Sequence, residues 1–282
     1  DIDQGEARRV YDSPSKGVLW GWEVSAYVWT KAVATGTFLM MAFWNYLKGP
    51  MESSSEFYGL MTTLIFMGIT GALLVKDLDR PDRFLYVLLR PQWKSWLVKG
   101  AYIITIFGGL VTMKLIDNFY GFNWDWLWVI GSIFSVLGAI YTAFLFGQAR
   151  ARDLWQSKWV SAVHMLVHAI ISGSFILMII LPLSKGYMAN LLLLSININL
   201  MIIMKEIFFP HNTPDSKKAI HLMTKGYYSK YFWLGIALGS ILPIIMLSTQ
   251  MEELVIISGV LALIGNYLTE YVRIRIPQMI PL

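Results

Sequence analysis

The chain has 282 residues, 56% of them hydrophobic and only 15% charged, and its mean hydropathy is +0.55. A soluble protein of this size carries about 25% charge, so the composition excludes an ordinary soluble domain and points to a polytopic membrane protein. With no Cys, the chain cannot itself hold a disulfide, a thiolate metal site or a cysteine-ligated iron–sulfur cluster. Its net charge of +5 lies in loops between apolar runs and is no signal for nucleic acid.

A membrane-spanning helix needs about 20 mostly apolar residues. Eight segments qualify: Val24–Leu47, Phe57–Val75, Trp96–Leu115, Trp126–Phe146, Val160–Leu183, Met188–Met204, Phe232–Thr249 and Leu254–Tyr271. No apolar targeting segment precedes the first span, and no stretch is long enough to fold as a soluble domain. The expected fold is all-α: one integral membrane domain over residues 1–282, with an N-terminal four-helix bundle followed by four further helices.

Eight spans put both termini on one side, here called side A. Of the 23 Lys and Arg residues, all fall on side A except Lys31, within the first span, and Lys48, Lys114 and Lys185 on side B. A miscount by one helix would mix the sides, so this imbalance supports eight spans. By the positive-inside rule side A is cytoplasmic, in a cell inner membrane. Phe119, Tyr120, Phe122, Trp124, Trp126 and Trp128 at side B read as an interfacial aromatic belt.

The most charged loop is Lys76-Asp77-Leu78-Asp79-Arg80-Pro81-Asp82-Arg83, directly after the second span. Charge beside hydrocarbon is costly unless paired or wetted, which marks a functional candidate; a salt-bridged helix cap is the plainer reading. Within the spans, Glu23, Tyr27 and Lys31 share one helix face. Lys31 either snorkels back to side A or faces a polar cavity. Tyr141 lies on the fourth span, His164 and His168 one turn apart on the fifth, and Glu206 at the end of the sixth. These groups all fall toward side A, whereas the side B halves carry Asn190, Asn197 and Asn199 and almost nothing ionisable. One shallow polar pocket opening to side A is expected, with unrelated packing hydrogen bonds as the alternative.

A bis-His haem does not fit. His164 and His168 share one helix face and cannot clasp a macrocycle, and His211 and His221 lie in a loop. No metal site is expected, since zinc needs more converging ligands. A lipophilic molecule with two polar oxygens fits better, and a quinone is such a molecule: it needs an apolar wall and a proton donor at each oxygen. Tyr, His and Lys can donate; Asp, Glu and His can relay protons from water. Electrons must then be exchanged with another subunit.

Asp77-Leu78-Asp79-Arg80-Pro81-Asp82-Arg83-Phe84, followed by Ser95-Trp96 opening the next span, resembles the polysulfide reductase membrane-subunit family, also called NrfD/PsrC-like. Trp20-Gly21-Trp22-Glu23, Tyr27 and Ala34-Thr35-Gly36 are similar to the family's first span, and Tyr141-Thr142-Ala143, Arg150 and Trp155 to its fourth. The likeness covers nearly the whole chain.

The resemblance implies a haem-free membrane anchor that binds menaquinone or ubiquinone and pairs with a ferredoxin-like iron–sulfur subunit on the basic side, often with a molybdopterin-type catalytic subunit. Related subunits of alternative complex III oxidise quinol. Carried over, Tyr27 or Lys31 on the first span and Tyr141 on the fourth would hold quinone, with His168 nearby. Relatives show His or Asn on that span where this chain has Lys31. Asp77 and Arg83 would move protons, with His164, Glu23 and Glu206. Many such complexes keep their catalytic subunits outside the cytoplasm, so the basic face has a second reading as a dock for an acidic partner. A proton-translocating subunit that binds no quinone is the rival function. A secondary transporter would show repeats and broken midplane helices, and neither is evident.

Overall fold

The computed structural model describes residues 20–77, 84–149, 153–209, 213–249 and 251–280. Among them every regular element is helical. In chain order these are α1 (Trp22–Lys48), α2 (Ser53–Asp77), α3 (Phe84–Leu89), α4 (Trp96–Tyr120), α5 (Trp126–Phe146), α6 (Lys158–Ile180), α7 (Lys185–Phe208), α8 (Pro214–Thr224), α9 (Ser229–Ile236), α10 (Leu242–Ser248) and α11 (Glu252–Arg275). A π-helical turn, Ala237–Ile241, joins α9 to α10. It ends two residues before Pro243, whose missing N–H cannot bond back along the helix.

Among the described residues, seven helical segments are long and apolar enough to cross a membrane: α2, α4, α5, α6, α7 with the short turn before it, α9–α10, and α11 with the turn after it. With α1 they make the eight expected spans. α1 has 27 residues, about 40 Å at 1.5 Å per residue. Glu23, Thr30, Lys31, Thr35 and Thr37 interrupt its apolar run, and it tolerates them because it is central. It packs against α2, α5, α6 and α11. The outer helices instead turn Ile65, Ile106, Ile133, Met201, Ile245 and Ile257 outward, as a lipid-facing surface requires.

α1 and α6 approach each other closely. A Cβ on Gly36 would overlap the Ala169 carbonyl, and one on Gly173 would overlap the Gly36 carbonyl. Small residues let backbones meet this way in lipid, where packing replaces the hydrophobic drive. Phe38 fills the centre of the first bundle, with ring centroids 5.4 Å from Phe107 and 5.2 Å from Trp128. At side A, Trp155 stacks on Phe146 at 5.3 Å and lies 5.0 Å from Trp20. Gln278, just past α11, donates to the Trp20 carbonyl at 3.0 Å and accepts from its N–H at 2.9 Å, so the two ends of the described chain are tied together.

Three expectations change. His221, expected in a loop, lies on the helix α8, which is started by Thr213, whose hydroxyl accepts from the Ser216 N–H at 3.2 Å, with Pro214 following it. The third span runs on to Tyr120, which carries Lys114 and Asp117 inside it. Trp128 is buried rather than interfacial, whereas Phe119, Tyr120, Phe122 and Trp126 are exposed.

Candidate functional site

The polar groups gather into two adjacent clusters and a rim pair. In the first cluster, α1 sets Tyr27 and Lys31 one turn apart, facing α5. Both are buried, Lys31 to 1% exposure, so the lysine does not snorkel. Its Nζ donates to the Ala139 carbonyl at 3.2 Å and to Thr142 Oγ1, and sits 4.3 Å from the centre of the Tyr141 ring. The Tyr141 ring in turn packs against α4 at Gly100, where any Cβ would overlap it. Thr142 adjoins both phenols, yet the Tyr141 hydroxyl is buried with no partner in hydrogen-bonding geometry among the described residues. Buried hydroxyls are nearly always satisfied, so this one has room for a partner that is not among the described residues, a water or a ligand oxygen.

The second cluster joins α6, α7 and α11. The His164 and His168 rings lie 4.2 Å apart. His168 Nε2 meets Asn199 Oδ1 at 3.1 Å, and Asn199 Nδ2 donates to Asn266 Oδ1 at 3.5 Å. That order makes Nε2 the protonated nitrogen of His168 and leaves Nδ1 as its acceptor. Arg273 contacts His164 Nδ1 through Nη1 and reaches Glu206 Oε2 through Nε at 3.0 Å. Glu270 Oε2 faces His164 Nδ1 at 4.0 Å, His168 Nδ1 at 3.9 Å and Arg273 Nη1 at 3.9 Å. α1 packs against both α6 and α11, and Glu270 is in electrostatic reach of Lys31 and Tyr27. The two clusters are therefore coupled across α1.

The rim pair is Glu23 and Lys76, 3.6 Å apart, with the Lys76 ammonium 4.5 Å from the Trp22 ring. Asp77 is half-buried at the end of α2 and interacts with Tyr27. Arg83, with residues 78–82 of its loop, lies outside the described residues.

Glu270 and Arg273 went unremarked in the sequence reading, where Arg273 counted only as a side A charge. The signal was there: a carboxylate within the last apolar span is itself costly, and Asn266, Glu270 and Arg273 share a helix face. Glu270 also supplies the third converging ligand that the two histidines lacked. One atom each from His164, His168 and Glu270 lie within 4.8 Å of one another. The Arg273 guanidinium, hydrogen-bonded to His164, occupies what would be the coordination shell and opposes a divalent cation.

Side B is not free of ionisable groups either. Lys114 Nζ lies 2.7 Å from Asp117 Oδ2 and 3.3 Å from Glu56 Oε1, all three buried. Asp117 Oδ1 also accepts from the Trp124 N–H at 3.1 Å. This triad ties α2 to α4 and to the turn leading into α5. It escaped the sequence reading because Asp117 was assigned to a loop and Glu56 to the residue before a span.

No curated protein matches the chain. The family model described as polysulphide reductase, NrfD, matches residues 12–281. Taken with the all-helical bundle and its membrane-spanning helices, this match shows that the chain belongs to the NrfD polysulphide reductase family, as a multi-pass membrane subunit of that type of complex.

Proposed function

We propose that the chain binds a quinone or quinol in its first bundle and exchanges electrons with an iron–sulfur partner subunit, itself joined to a molybdopterin-type catalytic subunit. The observation that carries this reading is the orphan Tyr141 hydroxyl, buried opposite Lys31 and Tyr27. When bound, the quinone supplies a two-electron, two-proton couple. The chain's own residues do the rest. Tyr141 presents an O–H to one ring oxygen, and Lys31 fixes the Tyr141 ring from above while its remaining N–H points into the same region. Tyr27 closes the face toward Asp77 and the rim. The surrounding aromatic and aliphatic side chains keep bulk water out, so proton transfer depends on the titratable groups that line the clusters.

The iron–sulfur partner docks on side A, since the phenols and the histidines lie toward that end and the basic loops surround it. Side A faces the cytoplasm by its Lys and Arg excess.

The test is Lys31→Met and Tyr141→Phe in the assembled complex, with bound quinone extracted and quinol-coupled turnover measured. Both variants should assemble, bind quinone more weakly, by about 2- to 12-fold for the one hydrogen bond lost in Tyr141→Phe, and turn over more slowly. Wild-type occupancy and turnover in both removes the assignment. The rival, proton translocation without bound quinone, draws on one observation: Asn199 and Asn266 extend the second cluster from His168 toward side B. It requires a proton-to-electron ratio above that of quinone chemistry alone.

A further inference from the structure

Glu270 Oε2 is buried and has no hydrogen-bond partner among the described residues. It is nevertheless surrounded: His164 Nδ1, His168 Nδ1 and Arg273 Nη1 stand 3.9–4.0 Å away. Such spacing is too long for a direct bond and leaves room for one water bridging Glu270, His168 and Arg273. His168 Nδ1, left bare because Nε2 faces Asn199, would accept from that water, and so would the carboxylate; Arg273 would donate to it. The same spacing is loose for a tetrahedral zinc site, where ligand atoms about 2.1 Å from the metal stand about 3.4 Å apart.

Water has a way in. A notch of about 20 Å³ opens beside the cluster, lined by Ser161, Met165, Glu206, Glu270 and Arg273 with Phe146 and Trp155 behind them. A single water needs about 10–15 Å³ on this measure, so the notch admits water and is far too small for a quinone ring. It reaches the surface at side A, where the Glu206 and Arg273 side chains are 13% and 12% exposed.

We propose that Glu270 carries protons from water in this notch to Lys31 and the quinone site, by a route separate from the charged loop after α2. The proposal rests on the quinone reading of the Tyr141 cluster. Reduction of one quinone takes two electrons from the iron–sulfur partner and two protons from side A water. Glu270 releases its proton toward Lys31 and regains one from the notch, once per proton delivered; quinol oxidation runs the same transfers backward. The groups that set its behaviour are His164 and His168 on α6, Glu206 on α7, Arg273 on its own helix, and Lys31 and Tyr27 on α1. Glu270 touches no substrate, so its role is read through proton delivery.

The experiment compares the wild-type complex with Glu270→Gln and Ser161→Leu. The redox-difference infrared spectrum of the wild type should contain a carboxylic C=O change that shifts in D2O. Glu270→Gln should lose that band, move the pH profile and slow turnover at least tenfold, with quinone content within twofold of wild type. Ser161→Leu fills the notch and removes no charge. It should keep the band, slow its exchange with D2O and lower turnover, which keeps the test alive if Glu270→Gln does not assemble. An unchanged band, pH profile and turnover in an assembled Glu270→Gln complex overturns the proposal, as does one equivalent of bound metal that His164→Ala releases. If Tyr141→Phe alters quinone binding while Glu270→Gln is silent, the relay alone fails. If Tyr141→Phe leaves binding unchanged, the quinone reading fails first.

Discussion

Tyr141→Phe removes one oxygen and nothing else, and the structure assigns opposite signs to its two consequences. Among the described residues the hydroxyl has no partner in hydrogen-bonding geometry. A buried unsatisfied polar group costs about 1–3 kcal/mol, so its removal should leave the protein as stable as wild type or more stable by about 1 kcal/mol. For a chain of this size that is a rise in melting midpoint of about 2–4 °C. The phenyl ring keeps its seat on Gly100 and its contact with the Lys31 ammonium, so packing is unchanged. With a quinone bound, the variant lacks one neutral hydrogen bond of about 0.5–1.5 kcal/mol, which weakens binding about 2- to 12-fold. The assay is thermal unfolding in lipid nanodiscs, paired with titration of a short-chain quinone analogue followed by tyrosine and tryptophan fluorescence. A midpoint lowered by several degrees with an unchanged dissociation constant would refute the reasoning, because the hydroxyl would then be serving the fold.

The buried side B triad gives a test independent of function. Lys114→Met strands two carboxylates and should destabilise by about 3–5 kcal/mol, read as a lowered melting midpoint, whereas combining it with Glu56→Gln and Asp117→Asn should recover most of the loss. Gly36→Ala drives a methyl into the Ala169 carbonyl and should cost about 1–3 kcal/mol or more by overpacking. Gly68→Ala on α2 meets nothing within 4 Å and should be neutral or gain up to about 1 kcal/mol of helix propensity; equal melting midpoints for the two glycine variants would contradict the α1–α6 contact. Gln278→Ala cuts both bonds to Trp20 and should cost about 1–2 kcal/mol, with amide exchange quickening first at Trp20.

The helices were legible because hydropathy over about 20 residues is a strong local signal, and the Lys and Arg imbalance checks their number without reference to packing. α1 was recognisable as a span, although its threonines and its lysine make it the least apolar of the eight. The grouping of Tyr27, Lys31 and Tyr141 followed partly from helix periodicity and partly from family resemblance, since periodicity says which residues share a face but not which helix that face meets. That limit explains the miss at Glu270. Its partners His164, His168 and Glu206 come from α6 and α7, and nothing in the order of residues says that α11 lies against both. The single pocket expected at side A resolved into two clusters for the same reason: α1 stands between them, and a chain read in one dimension cannot show what separates two neighbours.

The central position of α1 has a consequence for biogenesis. It leaves the ribosome before the seven other spans described here, and the face bearing Lys31 and Thr35 is covered by α5, with α6 and α11 packed beside it, all made later. Until those helices arrive, a lysine and several hydroxyls must be sheltered from acyl chains. Nascent chains halted after α2 should therefore remain crosslinked to the insertion machinery through α1, and be released into lipid only once α6 has emerged.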